Sequence, residues 1–283
     1  MKMSFNLYQI CVLYWLACTT ITSILGLLAL QQSGKSKTVM NLVYFGKFRK
    51  DHNFETWLRM IEVPKRLFWM FYLVAFIAIL FAFIDIGLIG GELRYNGNLI
   101  LISLGLSLYL IHVLRRLYEC LYVSIFSDSN MNILHFLLGI TFYPFCVCSQ
   151  LSSFMLDKKA EVNVLSVSLY MALIVAIITV QVKQHHCFAL LAQLRLRNGL
   201  NANNVHAMPH GGLFEYCLSP HYFLEIIIYL LLALIYQLST PMLLCFLFVT
   251  VNQTVAALLN QSWYRRHFPA HLSNRKALIP YIL

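Results

Sequence analysis

Four short blocks of this sequence hold most of the side chains that could do chemistry. Glu62-Val-Pro64-Lys-Arg66 precedes one apolar run, and His112-Val-Leu-Arg115-Arg116-Leu-Tyr-Glu119 ends another. Pro209-His-Gly-Gly-Leu-Phe-Glu-Tyr-Cys-Leu-Ser-Pro-His-Tyr-Phe-Leu-Glu225 and Ser273-Asn-Arg-Lys-Ala-Leu-Ile-Pro280 lie near the C-terminus. Ionisable groups wedged between strongly apolar stretches are costly in a membrane protein and mark a functional site by default. Arg115 and Arg116 can be read as interface anchors that snorkel to the membrane surface, with Glu119, three residues beyond Arg116, as a helical partner. They can equally be read as grips for an anionic ligand.

Other chemistries fit poorly. His206 and His210, and His267 and His271, have the spacing that puts two metal ligands on one helix face. Pro209 and Pro269 interrupt both pairs, and proline inside a helix removes a hydrogen bond and clashes with the preceding turn. With no acidic cluster to orient such ligands, no metal site is expected. A Gly-x-Gly-x-x-Gly turn and a Walker loop are both absent, so any nucleotide site must be made by the helices themselves.

The elements that must position these blocks are membrane helices. Of the 283 residues, 60% are hydrophobic and 11% charged, far from soluble averages of roughly 45–50% and about 25%. Apolar stretches at 7–30, 67–91, 97–114, 131–152, 163–182, 221–238 and 241–260 approach the ~20 residues that span a bilayer. The expected fold is an all-α integral membrane protein, a seven-transmembrane-helix bundle with short cytosolic loops. Residues 1–66 would supply the first helix and a cytosolic amphipathic linker, and 67–283 a six-helix catalytic domain. The stretch 31–66, with Phe45, Phe48, Phe54 and Trp57 among its charges, reads as interfacial helices. The eight cysteines lie mostly in or beside spans and read as small apolar packing residues.

Lys and Arg number eight in 31–66, two in 115–130, three in 183–219 and four in 261–283; the alternate segments hold only Lys2, Arg94, Lys158 and Lys159. That asymmetry places the C-terminus in the cytosol and the N-terminus across the membrane. It also accounts for the net charge of +10 without a nucleic-acid partner.

The order of the motifs carries a resemblance. His112 to Glu119, then Leu194-Arg195, His210-Gly-Gly-Leu-Phe-Glu-Tyr216, Ser219-Pro-His-Tyr-Phe-Leu-Glu225, Trp263-Tyr264 and Arg275 to Pro280 resemble the steroid 5α-reductase family over roughly 62–283, most strongly from 206 onward. Glu62-Val-Pro-Lys-Arg-Leu-Phe68, Val123-Ser-Ile-Phe-Ser127 and Phe214-Glu-Tyr216 look most like its polyprenol (polyprenal) reductase branch. The resemblance implies an NADPH-dependent oxidoreductase of the endoplasmic reticulum membrane. Such an enzyme saturates the α-isoprene double bond of a long-chain polyisoprenoid on the way to dolichol and protein N-glycosylation.

Carried over by position, Arg116, Gln184, Arg195, Gly211, Gly212, His221, Glu225, Tyr264 and Arg275 would line the cofactor site. Arg116, Arg195 and Arg275 would take the phosphates through charge-assisted hydrogen bonds, and the glycine pair would let the backbone approach closely. Glu62 would face the substrate head, with Tyr72, Tyr109 or Tyr264 as the polarising or proton-delivering phenol. His221 stands where most members have Asn, and Phe188 replaces a polar residue.

Hydride addition to a carbon–carbon double bond needs an electron sink. An α,β-unsaturated aldehyde has one in its oxygen and an allylic alcohol does not, so a donor on that oxygen would stabilise the transition state. Polyprenal is therefore the expected substrate, with a partner dehydrogenase as a source of the aldehyde. Reduction of another conjugated lipid such as a 3-oxo-Δ4 steroid, an isoprenoid methyltransferase and a transporter are the rival readings. A transporter should spread polar positions along several helices, and here they gather at one end.

Overall fold

The computed structural model describes residues 2–31, 62–88, 98–126, 130–154, 164–197, 207–269 and 275–283. Among the described residues seven α-helices predominate: α1 (Lys2–Gln31), α2 (Trp69–Leu88), α3 (Leu99–Tyr118), α4 (Ile133–Ser152), α5 (Val164–Arg197), α6 (Pro220–Ile235) and α7 (Thr240–His267). Six of them include stretches long and apolar enough to cross a membrane; α6, at 16 residues, is shorter. Two short strands, β1 (Glu62–Pro64) and β2 (Asn130–Asn132), pair antiparallel with Glu62 opposite Asn132, a small departure from a purely helical chain. The linker expected to lie on the membrane falls mostly on 32–61, outside the described residues, as do His206 and His271.

Helix boundaries shift the expected positions of several side chains. α5 was expected to end near 182 and runs on to Arg197, because no glycine or proline interrupts Val164–Arg197 and the chain has no local reason to stop. Gln184, His185 and Arg195 therefore stand on a helix and not in a loop. α3 likewise continues through Arg115 and Arg116 into one π-helical turn at Glu119–Val123, and α7 carries Trp263 and Tyr264 beyond the apolar stretch. Proline in the first turn of α6 and of α7, where its missing N–H costs nothing, helps to start both.

α1 packs along α7, α2 against α3 and α4, and α6 between α5 and α7. Trp15 on α1 donates to Ser149 Oγ on α4 at 2.7 Å, and Tyr14 stacks on Phe145 at 3.7 Å. All eight cysteines are free and six are buried, so they serve as packing groups. At one pole the α6–α7 turn is tied down: Tyr236 OH donates to Gln150 Oε1 at 3.0 Å, the Ser239 and Ser153 hydroxyls are 2.6 Å apart, and Gln237 Nε2 donates to Tyr170 OH at 3.2 Å. Gln237 and Leu238 take left-handed φ values of 53° and 55° there. Gly105 on α3 makes room for the buried Tyr236, whose ring atoms would lie 2.4–2.5 Å from a Cβ at that position.

Candidate functional site

The opposite pole gathers the charges. Arg115 and Arg116, adjacent on α3, both donate to Glu119: Arg115 Nη1 to Oε1 at 2.6 Å and Arg116 Nη1 to Oε2. Glu119 is fully buried. An isolated carboxylate there would be prohibitive, and two guanidinium groups plus His185 Nδ1 at 2.8 Å from Oε1 make it tolerable. Arg116 Nε donates to Tyr72 OH at 3.0 Å, and its guanidinium lies 3.9 Å from the centre of the Phe188 ring, a cation–π contact.

A second layer lies between α5 and α6. Gln184 Nε2 donates to Glu225 Oε2 at 2.5 Å and to the His221 carbonyl at 3.0 Å, while its Oε1 accepts from Arg115 Nη2. His112 Nε2 sits 3.5 Å from Glu225 Oε1, and its Nδ1 3.3 Å from Arg115 Nη2. Below, Tyr109 OH and Tyr229 OH approach to 3.4 Å, and both rings flank His112. Tyr72 faces Tyr143 at 5.2 Å between ring centres. Arg115, Arg116, Glu119 and Glu225 balance in formal charge, with four tyrosines lining the apolar side.

Of the residues expected from sequence, Arg116, Gln184, His221 and Glu225 come together in this cluster, and Tyr109 lies beside it. Gly211, Gly212 and Arg275 form a second group. The glycines have φ of 92° and 54°, values that L side chains rarely adopt, and the turn packs over His186 and Leu190 of α5. Arg275 Nη1 donates to the Pro209 carbonyl at 2.8 Å, and its Nη2 lies 2.8 Å from His210 Nδ1 and 3.4 Å from Glu215 Oε2. The Gly211 N–H donates to Glu215 Oε1 at 2.6 Å, which holds that carboxyl below its ordinary range, helped by Arg275 and His210. The guanidinium expected to take phosphate is thus engaged with the glycine turn. The Leu218 N–H donates to the Lys276 carbonyl and the Lys276 N–H to the Tyr216 carbonyl, which seals the tail onto the turn.

The remaining expected residues make their contacts outside these two groups. Arg195, near the end of α5, donates to the Ile125 carbonyl and lies within electrostatic reach of Tyr264 and Tyr222. Tyr264 is buried among Met208, Leu218, Leu259 and Trp263. Glu62 lies on β1, where its Oε2 accepts from Asn130 Nδ2 at 3.0 Å. Phe188 and Phe214 lie 5.5 and 6.1 Å from the His221 ring, so aromatic rings join the charged cluster to the glycine turn.

Gln181, His185 and Tyr143 were not anticipated as site residues. Gln181, Gln184, His185 and Phe188 share one face at i, i+3, i+4 and i+7 spacing, a pattern that appears only when α5 continues past 182. Among the described residues no group of three or more His, Cys, Asp or Glu side chains is placed to hold a metal ion.

The chain is similar to known proteins over most of its length. Residues 128–283 match the family model described as 3-oxo-5-alpha-steroid 4-dehydrogenase. A polyprenal reductase from Xenopus laevis is 30% identical over 95% of this chain and 95% of its own, and one from Xenopus tropicalis 31% identical over 95% and 98%. A Caenorhabditis elegans polyprenal reductase is 35% identical over 64% of this chain and 60% of its own. With more than half of its length under the family model and relatives aligned nearly end to end, the chain belongs to the steroid 5α-reductase family.

Proposed function

We propose that this protein is an NADPH-dependent polyprenal reductase. The observation that carries the reading is the near full-length similarity to polyprenal reductases, joined to a buried charged pole at which every carboxylate has a cationic or amide partner. Reduction of a carbon–carbon double bond is the chemistry common to the family, and an aldehyde at the end of a polyisoprenoid supplies the conjugation the reaction needs. The product, a saturated α-isoprene unit, lies on the route to dolichol and protein N-glycosylation.

The donor set suits a pyridine dinucleotide phosphate. Glu225, held in place by Gln184, offers a carboxylate acceptor to a carboxamide, exposed Arg195 offers a guanidinium to phosphate, and the Gly211–Gly212 turn brings main chain close. Arg275 holds that turn in shape. When bound, NADPH supplies the hydride. The chain's own part is to orient the acceptor and manage charge and protons: a phenol of Tyr72 or Tyr109 near the Arg116 and His112 layers donates to the aldehyde oxygen as negative charge builds there. Glu62 and Tyr264 are further candidates for the substrate and proton-delivery roles. Aldehyde itself must come from a dehydrogenase acting on the alcohol.

We infer also that α6 crosses the membrane as the sixth of seven spans. At ~1.5 Å per residue it is only about 24 Å long, yet His221 at its start belongs to the charged pole and Tyr236 just past its end to the far pole. The basic residues then lie on the cytosolic face of the endoplasmic reticulum. Purified protein tested for NADPH against S-adenosylmethionine binding decides between reductase and methyltransferase. Binding of S-adenosylmethionine alone refutes the reading.

A further inference from the structure

A groove of about 360 Å³ runs down the outside of the bundle between α3 and α5, within the ~300–1,000 Å³ of small-molecule pockets. Its apolar wall is Ile111, Ile178 and Val182, and its head is Arg115, Gln181 and His185. The three apolar residues are 47%, 38% and 63% exposed, on helices apolar enough to lie in a membrane. Lipid chains are the medium that meets them.

Gln181 differs from its neighbours. Its side chain is 3% exposed, and its Nε2 has no hydrogen-bond partner. Arg115 Nε donates to Gln181 Oε1 at 3.3 Å. Because a guanidinium can only donate, this contact fixes the amide, and rotating it would set two donors against each other. The NH2 group is left as an unmet donor buried just beneath the head of an apolar groove. In hydrocarbon such a group demands an acceptor.

We propose that the α3–α5 groove binds a glycerophospholipid. One acyl chain lies along Ile111, Ile178 and Val182, and an ester or phosphate oxygen accepts from Gln181 Nε2 once a small shift of the side chain bares it to the groove. Arg115 adds little free charge, since Glu119 Oε1 takes its Nη1 at 2.6 Å, so the head is recognised by a hydrogen bond more than by its net charge. Arg115 Nη2 also donates to Gln184, which places the lipid one side chain from the charged cluster. The site goes beyond the proposed reaction, and its test reads bound lipid and not turnover.

Full-length protein purified in detergent is titrated with dioleoylphosphatidylcholine and followed by native mass spectrometry. The wild type should hold one phospholipid tightly. Gln181→Leu removes the donor, and Val182→Trp fills an exposed groove position without entering the core. Each should weaken the first binding step roughly tenfold or more, while Leu13→Trp on the exposed face of α1 should leave it unchanged. Unaltered binding in both groove variants overturns the proposal. So does loss of the phospholipid to equimolar polyprenal, which would make the groove the isoprenoid's own.

Discussion

The side-chain amide of Gln184 joins two opposite charges: its Nε2 donates to Glu225 Oε2 at 2.5 Å while its Oε1 accepts from Arg115. Three helices meet through this one group, α5 by the glutamine itself, α6 by Glu225 and α3 by Arg115. Gln184→Leu should therefore leave a partly buried carboxylate and a guanidinium short of a partner, a loss of about 1 kcal/mol for each unmet group. A clear fall in the thermal midpoint, read by size-exclusion chromatography after heating, is the expected result. An unshifted midpoint would show that the amide is dispensable to the pole.

Part of this site was legible in the chain. Arg116 and Glu119 are three apart and Arg115 and Glu119 four apart, so helical geometry alone pairs them. Gln184 and His185 needed only the recognition that nothing between Val164 and Arg197 breaks a helix; apolarity ends at 182, but helix propagation does not depend on apolarity. The contact of Arg116 with Tyr72 is of another kind. It joins residues 44 apart on different helices, and no local spacing encodes it. Arg275 shows the same limit: its residue type suggested a phosphate partner, and only tertiary packing sets it against the Pro209 carbonyl.

Arg116 is held from three sides, by Glu119, by Tyr72 and by the face of Phe188. Lysine keeps the charge but not the planar fork. Arg116→Lys should weaken NADPH roughly tenfold or more, the value of one charge-assisted bond of about 1.5–3 kcal/mol, in a titration of the purified protein. Unaltered affinity would confine Arg116 to holding the helices together.

Arg275 and Glu215, 3.4 Å apart, hold the glycine turn together, one at the Pro209 carbonyl and the other at the Gly211 N–H. Arg275→Ala should weaken NADPH and NADH by similar factors, because the turn itself loosens. Selective loss of NADPH would instead put the guanidinium on the 2′-phosphate. The pH dependence has a definite sign. Glu215 has its carboxyl lowered by the Gly211 N–H from an ordinary 4.5, so its contribution is present above that value and lost as pH falls through the lower, folded value. Nucleotide binding should weaken on acidification below about 4.5, and Glu215→Gln should flatten that part of the profile.

Gly105 is a packing position. An alanine Cβ there would meet the Tyr236 ring at 2.4–2.5 Å, and Tyr236 is fully buried and hydrogen-bonded to Gln150, so it cannot swing away. Gly105→Ala should cost about 1–3 kcal/mol through overpacking, and adding Tyr236→Phe should not restore the loss, because the clash includes ring carbons. Wild-type thermal stability in the single variant would mean that α3 and α6 can separate without penalty.

The identity of the substrate is open to the most direct test. Hydride delivery to the β-carbon leaves negative charge that an aldehyde oxygen can take up, and the α-carbon then accepts a proton; an allylic alcohol offers no such sink. Membranes containing this protein and NADPH should saturate the α-isoprene unit of polyprenal far faster than that of polyprenol. Glu62, on β1 beside Pro64 and hydrogen-bonded to Asn130, is proposed to face the substrate. Glu62→Gln should then lower kcat and kcat/KM together, the mark of a group acting on the transition state, with NADPH affinity nearly intact. Equal rates on polyprenol, with no oxidant and no partner enzyme present, would refute the conjugated-aldehyde mechanism. Loss of NADPH binding in the variant would move Glu62 from the substrate to the cofactor.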